Sequence, residues 1–453
     1  MIKKNQTYEI EITGMNHEGQ GVGRLEGMAV FVDGGIKGEK ALVKINEVKK
    51  NYATSSIKSI LNNSLGRVEP PCGNFEKCGG CSLMHMNYKA QMEFKTDLVK
   101  ETLKRIGKLE EVKVNDTIGM DNPHNYRNKV QFPVALKDGK PVMGFYERRS
   151  HNVADGSSCL IQDESSSLVR QVVLEFLSTN KISIYDEKTG SGLLRHVMVR
   201  KGFKTSEVMV VLVINGDSIP NSDKLIENLK DKVEGLTSVF LNINKRNTNI
   251  ILGEKNKKLF GRDTITDYIG RFKFDISPLS FFQVNPVQTE VLYGKALEFA
   301  GLAGNETVFD LYCGIGTISL FLSEKAKQVY GIEVVEDAIK DAKKNAAANG
   351  VDNVEFIAGE AEKVIPHMYE KGIRADVVVV DPPRKGCDQV VLETMVKMQP
   401  ERIVYVSCNP STLARDLNYL TENGYRVEEV QPVDMFPHTA HVETCVLLSH
   451  KNS

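Results

Sequence analysis

Along the 453-residue chain the rhythm of apolar positions changes several times, and each change marks a different kind of element. In the first sixty or so residues the apolar runs are short and β-like: Tyr8-Glu-Ile-Glu-Ile12, Ala29-Val-Phe-Val32 and Ala41-Leu-Val-Lys-Ile45. Glycine turns separate them at Gly19-Gln-Gly-Val-Gly23 and Gly34-Gly35, so residues 1–60 are predicted to form a small, OB-like β-barrel. A helical period then appears over 91–109, carried by Met92, Val99, Leu103 and Ile106, with Gly107 near its end. β-type runs return at 129–132, 142–146, 196–199, 208–214 and 239–243, with helical stretches at 165–177 and 222–232. Residues 61–270 therefore read as a β-rich, mostly antiparallel central domain, and the 91–109 helix is placed to pack on the domain that follows. From about residue 287 helices and apolar strands alternate, which predicts an α/β domain over 271–453.

The α/β segment carries the chemistry. Arg402-Ile-Val-Tyr-Val-Ser-Cys-Asn-Pro410 is a buried-strand pattern that Asn-Pro stops, leaving Cys408 at the strand's carboxyl end, where open α/β sheets bind ligands. A lone thiol is equally at home as a small buried apolar group, and this stretch by itself does not separate the two. Upstream, Thr307-Val-Phe-Asp-Leu-Tyr-Cys-Gly-Ile-Gly316 and Gln328-Val-Tyr-Gly-Ile-Glu333 bracket a helix as a βαβ unit. Its glycine turn lacks the third glycine of dinucleotide sites, and acids stand at both strand ends, Asp310 and Glu333. Glu333 can accept both ribose hydroxyl hydrogens while nothing is supplied for phosphates, so a nucleoside with an amino-acid tail fits, and S-adenosylmethionine is such a ligand. The next strand ends in Asp381-Pro-Pro-Arg384, whose prolines stiffen the turn and aim Asp381 at the same edge. Enzymes that methylate exocyclic amines carry an aromatic where Arg384 stands, which counts against that reaction.

Charge is nearly balanced, 58 basic against 59 acidic residues, which excludes wholesale attraction to nucleic acid but leaves room for local basic surfaces. One such stripe runs from Lys37 to Lys58, with six lysines against two glutamates, and Arg127, Lys129, Arg148, Arg149, Arg195 and Arg200 are spread along the central segment. No apolar run approaches eighteen residues and the start lacks the apolar core of a signal peptide, so a cytoplasmic protein is expected. In a reducing compartment cysteines are metal-binding, catalytic or buried thiols. Cys72, Cys78 and Cys81 gather within ten residues beside Gly73, Gly79 and Gly80, and the only other cysteine before the C-terminal third is Cys159. Four thiolates satisfy zinc or an iron–sulfur cluster, and the five-residue gap tilts the reading toward the cluster.

Two resemblances organise these readings. The glycine pattern followed by Phe31-Val-Asp-Gly-Gly-Ile-Lys-Gly-Glu39 resembles a TRAM domain, a small RNA-binding barrel. Asp310-Leu-Tyr-Cys-Gly-Ile-Gly316, Asp381-Pro-Pro-Arg-Lys-Gly386, Ser407-Cys-Asn-Pro410 and Pro437-His-Thr-Ala-His-Val-Glu-Thr444 resemble the RNA uracil-5-methyltransferase family across essentially the whole chain. The barrel and the four cysteines are similar to its 23S ribosomal RNA branch, whereas the tRNA branch typically lacks both. The resemblance implies a Rossmann-like class I S-adenosylmethionine-dependent methyltransferase domain, with Gln283, Tyr312, Glu333 and Asp381 contacting S-adenosylmethionine. It implies Cys408 as nucleophile, Glu443 as base, and a 4Fe-4S cluster on Cys72, Cys78, Cys81 and Cys159. The implied partner is 23S rRNA, presenting a single-stranded or flipped-out uridine, with no membrane and no obligate protein partner. His438 and His441, which flank Glu443, are expected to position it. The alternatives are a tRNA uracil-5-methyltransferase, a cytosine-5-methyltransferase and a non-catalytic RNA-binding ribosome-assembly factor. Ser407, standing where DNA cytosine enzymes usually carry proline, counts against the second, and the presence of both Cys408 and Glu443 counts against the third.

Overall fold

The computed structural model describes residues 2–451; the expected first and last segments also include Met1, Asn452 and Ser453, which lie outside the described residues. Five strands open the chain: β1 (Thr7–Met15), β2 (Gly21–Leu25), β3 (Met28–Asp33), β4 (Lys40–Val48) and β5 (Tyr52–Asn62). They close into a barrel in the order β1-β2-β3-β5-β4, with β4 returning antiparallel to β1. Alternate residues, Ile10 and Ile12, Val30 and Val32, Ala41, Val43 and Ile45, fill its interior. The glycine segment differs from expectation, because only its start turns the chain and Gly21–Leu25 is a strand. A Cβ on Gly23 would stand 2.4 Å from the Ile10 side chain and 2.6 Å from the Glu11 carbonyl oxygen, so that glycine permits close strand packing rather than a bend.

The helix α1 (Tyr88–Arg105) follows, capped by Asn87, whose side chain accepts from the Ala90 amide. It packs on the last domain, with Val99 and Leu103 in one apolar cluster with Leu413 and Leu417. The central domain comprises β6 (Lys129–Lys137), β7 (Lys140–Tyr146), β8 (Val153–Asp155), α2 (Glu164–Thr179), β9 (Leu194–Lys201), β10 (Val208–Ile214), α3 (Ser222–Lys232), β11 (Leu236–Ile243) and β12 (Lys255–Gly261). Its sheet runs β12-β11-β10-β9-β6-β7-β8, antiparallel except between β10 and β11. α2 and α3 cover one face, while Met198, Met209, Val211 and Phe240 on the other face join the core of the α/β domain that follows. Being covered on both sides explains why β10 is an unbroken apolar run, buried throughout.

A hairpin, β13 (Ile265–Ile269) and β14 (Phe272–Ile276), and α4 (Pro286–Ala300) lead into the second large sheet. Its elements are β15 (Thr307–Leu311), α5 (Thr317–Ser323), β16 (Gln328–Glu333), α6 (Glu336–Ala348), β17 (Val354–Ala358), α7 (Ala361–Glu370), β18 (Val377–Val380), α8 (Gln389–Met398), β19 (Arg402–Ser407), α9 (Pro410–Glu422), β20 (Tyr425–Val433) and β21 (Glu443–His450). The order is β17-β16-β15-β18-β19-β21-β20, with β15 to β19 parallel and β21 antiparallel between β19 and β20. This is the expected doubly wound arrangement. Its consequence is chemical: the carboxyl ends of β15, β16, β18 and β19 and the amino end of β21 all meet at one edge.

Candidate active site

At that edge β19 and β21 deliver a thiol and a carboxylate side by side. The ladder ends with Ser407 opposite Thr444; Cys408, just past β19, and Glu443, the first residue of β21, come next. Glu443 is buried, and burial raises its carboxyl well above the usual range, with Asp381 adding to the shift and Arg384 opposing it. Cys408 is half-buried. Burial, then Glu443 and Asp381, push its thiol up to about 11, again against Arg384. Asp381 follows β18, the neighbour of β19, and burial lifts it to about 7. The structure therefore brings Cys408, Asp381 and Glu443 within electrostatic reach of one another, as the strand reading expects.

Arg384 is the residue whose part the sequence reading missed. Its carbonyl accepts from Asn409 Nδ2 at 3.0 Å and Thr412 Oγ1 at 3.2 Å, which ties the Asp-Pro-Pro loop to the turn after Cys408. The available signal was a cation directly after the Pro-Pro that follows Asp381. His438 is buried, and that burial pushes its imidazole down to about 4; Gln91 Nε2 lies 3.2 Å from its Nδ1. Burial lowers His441 too. Both rings are held toward the neutral form, which suits positioning rather than proton transfer.

On the other side of Asp381 lie Asp310 and Glu333. Asp310 is fully buried; Ser319 Oγ donates to its Oδ2, and its Oδ1 has no hydrogen-bond partner among the described residues. Burial raises it to about 7. Glu333 is pinned by backbone amides, accepting from Gly314 N at 3.2 Å and Val335 N at 2.9 Å. Gly314 has φ +56° and a Cβ there would meet nothing within 4 Å, so the turn is left-handed and opens onto free space. Gln283 lies on the loop before α4, whose backbone is held by Asn128 through the Gln283 and Val284 carbonyls at 2.8 and 2.9 Å. Buried Tyr293, which faces Asp381 and the Gln283 side chain, hydrogen-bonds Thr317 Oγ1 at 3.2 Å and links this loop to the glycine turn. Tyr312 is set apart from this group: its ring packs on the opposite face of the sheet and its hydroxyl faces Asp388 and Cys387. Three acids around an open turn, one with an orphaned buried oxygen, fit a ligand that carries positive charge and several donors, as S-adenosylmethionine does.

These buried acids give the ligand-free protein a pH signature. A folded-state pKa raised from about 3.9 to about 7 means that the folded state holds Asp310's proton more tightly. Its stabilising contribution is complete below about pH 4 and is lost as pH rises through about 7. Thermal melts between pH 5 and 8 are therefore expected to fall less steeply for Asp310→Asn than for the wild type, with the variant gaining relative to wild type at pH 8; parallel curves would contradict this.

A second constellation lies in the central domain. The loop over 72–81 rests on the turn after β7: Gly79 N donates to Tyr146 O at 3.0 Å, and the Arg148 guanidinium reaches the Cys78 and Cys81 carbonyls at 3.3 and 2.9 Å. Cys159 arrives from the connection between β8 and α2. All four cysteines line one cavity of about 230 Å³, together with Arg127, Lys129 and Gln162. Burial raises Cys81 strongly, and the other three thiols add to the shift. Among the described residues, no group of three His, Cys, Asp or Glu side chains stands at single-ion geometry. Neither Arg127 nor Lys129 has a carboxylate partner among the described residues, and Arg127 Nε is buried without a hydrogen bond. Burial, with Arg200 and Arg127 nearby, lowers Lys129 to about 8. Unpaired cations around four thiols are the wall an anionic centre needs.

Comparison with known proteins gives a consistent set of relatives. A family model described as tRNA (uracil-5-)-methyltransferase matches residues 192–451, and a TRAM domain model matches residues 3–58. An uncharacterized RNA methyltransferase of Clostridium tetani is 54% identical over 99% of this chain and 97% of its own length. Another, of Caldanaerobacter subterraneus subsp. tengcongensis, is 56% identical over 99% of both chains. Among solved structures, the tRNA (uracil-54, C5)-methyltransferase of Pyrococcus abyssi, in complex with S-adenosyl-L-homocysteine, is similar over 97% of this chain and 100% of that chain. The two share 29% identity, with a TM-score of 0.78.

Proposed function

This chain belongs to the RNA uracil-5-methyltransferase family and is an S-adenosylmethionine-dependent RNA methyltransferase with an N-terminal TRAM domain, and from that premise we propose that it methylates C5 of a uridine in 23S rRNA through a covalent adduct on Cys408. The observation that carries the reading is that Cys408 and buried Glu443 come next after the last β19/β21 pair, within electrostatic reach of each other and of Asp381.

Uracil C5 is too weak a nucleophile to attack a methyl group unaided. Addition of the Cys408 thiolate to C6 moves the C5=C6 electron pair toward C5 and O4, so that the ring itself becomes the attacking enolate. S-adenosylmethionine, when bound, supplies an electrophilic methyl group. Gln283, Glu333 and Asp381 are the residues whose side chains we assign to hold it, and Tyr312, whose ring points away, takes part only through its left-handed backbone in the turn. After transfer, C5 still carries its proton. Glu443 removes it, the C5=C6 bond re-forms, the C6–S bond breaks and Cys408 is released. A carboxylate whose proton affinity burial has raised is better matched to that task than one at the ordinary value. Arg384, the cation that opposes the shifts on both groups, favours the thiolate and the charged carboxylate. The target base must leave its stack to reach this edge, so a flipped or single-stranded uridine is required.

The rRNA assignment rests on the resemblance carried by the barrel together with the four cysteines; the barrel alone does not separate the two substrates, because the likeness to the tRNA enzyme extends over 97% of this chain. A tRNA uridine is the second reading, favoured by the likeness to the Pyrococcus abyssi tRNA enzyme. Incubating the protein with tritiated-methyl cofactor and either 23S rRNA or tRNA, then digesting to nucleosides, decides between them. Label in 5-methyluridine from 23S rRNA is expected; label only from tRNA, or in 5-methylcytidine, would overturn the assignment. We further assign Cys72, Cys78, Cys81 and Cys159 to a 4Fe-4S cluster, which the cavity of about 230 Å³ and its two unpaired cations support. Protein purified without oxygen is expected to be brown, with broad visible absorption that Cys81→Ser abolishes; a colourless protein carrying zinc would refute the cluster. Such thiolate chemistry suits the cytoplasm, where we place the protein.

A further inference from the structure

We infer that the Cys81 segment and α1 clamp the loop that carries the catalytic base, and that Ser82 and Tyr126 are positioning residues for proton removal from uracil C5. The inference rests on the reading of Glu443 as that base.

Between β20, which ends at Val433, and Glu443, which opens β21, the residues 434–442 form neither strand nor helix. Glu443 is the first residue of β21, paired with Val433 of β20 but entered directly from an irregular loop, so the loop shares with the sheet in setting where its carboxylate stands. Asn285 and Gln288 of the catalytic domain hold only its first residues, through the Met435 and Asp434 carbonyls, both at 3.1 Å. Beyond them the hydrogen bonds that reach the loop from outside come from residues more than three hundred positions away, while Met435, Phe436 and Val442 pack on the α/β core. Lys95, in the buried ion pair with Asp434, also donates to Phe436 O at 3.2 Å. Tyr126 Oη donates to Pro437 O at 3.1 Å. The backbone amides of Ser82 and Leu83 both donate to His438 O at 3.0 Å, the His438 amide donates to Gln91 Oε1 at 3.0 Å, and the Ala440 amide donates to Ser82 Oγ at 3.0 Å. His438 itself has φ +67°, a left-handed conformation that a side-chain-bearing residue keeps only where its surroundings impose it.

The clamp is continuous with the wall of the cysteine cavity. Tyr126 is buried in the apolar cluster that Cys72, Cys81 and Cys159 pack against, and Ser82 directly follows Cys81. Cys408 is held differently, by β19 and by Asn409, whose side chain bonds the Arg384 carbonyl. Loosening the clamp therefore touches one half of the reaction. Addition of Cys408 to C6 and methyl transfer proceed, whereas transfer of the C5 proton to Glu443, which needs the carboxylate within hydrogen-bond reach, is retarded.

The test is a time course of the covalent RNA–protein adduct in denaturing gels, under single turnover with S-adenosylmethionine and 23S rRNA. In Ser82→Ala/Tyr126→Phe the adduct is expected to form at close to the wild-type rate and to break down about tenfold more slowly, so that it accumulates. Ser82→Thr, which keeps the hydroxyl, is expected to restore breakdown. Equal slowing of both steps, or unchanged breakdown, would overturn the proposal. Amide hydrogen exchange of the ligand-free protein gives a second readout that needs no turnover: loss of protection confined to 436–442 is expected, and unchanged or chain-wide exchange would contradict the clamp. Glu443→Gln serves as the control, because if it traps no adduct the reading of the base has failed and not the clamp.

Discussion

Glu443→Gln is expected to stop the reaction halfway, leaving methylated RNA attached to Cys408. Glutamine has nearly the shape of the acid it replaces, and burial already favours the uncharged form of Glu443, so the substitution introduces no new buried charge and the fold is expected to persist. What it removes is proton affinity. Thiolate addition and methyl transfer need no base at position 443, whereas elimination does. Turnover is expected to fall by about 10²–10⁴-fold, the range for loss of a positioned general base, while one equivalent of RNA becomes covalently attached. A denaturing gel with end-labelled RNA measures both effects. Loss of turnover without the adduct would mean that Glu443 acts earlier, and unchanged turnover would remove it from the mechanism.

Cys408→Ala has the largest expected effect on the first step. Without a thiolate, uracil C5 has no route to carbanion character, and turnover is expected to fall by at least about 10⁴-fold, as when a nucleophile is deleted from a cooperating set. RNA affinity is expected to change little, because phosphate contacts dominate it and a single half-buried thiol is not among them. Filter binding beside the nucleoside assay separates the two quantities. No adduct should form under any condition, and appreciable activity in the alanine variant would reject covalent catalysis.

These expectations draw on a sequence that shows some parts of the molecule plainly and hides others. The strand before Cys408 was legible because a central strand covered on both faces is apolar along its buried run, and β19 is so from Ile403 to Val406. Glu333 and Asp381 were legible because each closes such a run; Asp310, expected at a strand end, lies one residue inside β15 and was legible as the acid in an apolar stretch. β2 was misread because glycine, usually a mark of turns, stands at Gly23 to let Ile10 and Glu11 approach. β5 escaped notice since its run, Tyr52-Ala-Thr-Ser-Ser-Ile-Lys-Ser-Ile-Leu-Asn62, mixes polar residues with few apolar ones. The clamp on the base loop was beyond reach for another reason. Its bonds join Ser82, Gln91, Lys95 and Tyr126 to residues 434–440, and nothing in local periodicity encodes a contact across that separation. Arg384 was visible but read only for the aromatic it replaces, and its position against Cys408 and Glu443 emerges from the sheet order.

The central claim is that Cys408 forms a bond to a uridine during methyl transfer, and substrate RNA containing 5-fluorouridine tests it most directly. Fluorine at C5 cannot leave as a proton, so the methylated intermediate has no exit and the enzyme is trapped at the step before Glu443 acts. After protease and nuclease digestion, mass spectrometry is predicted to find one modified peptide, spanning Cys408 and carrying 5-fluoro-5-methyl-dihydrouridine. An adduct on Cys313, Cys387 or Cys445 instead, or methylation of unmodified RNA without any trapped peptide, would contradict the account.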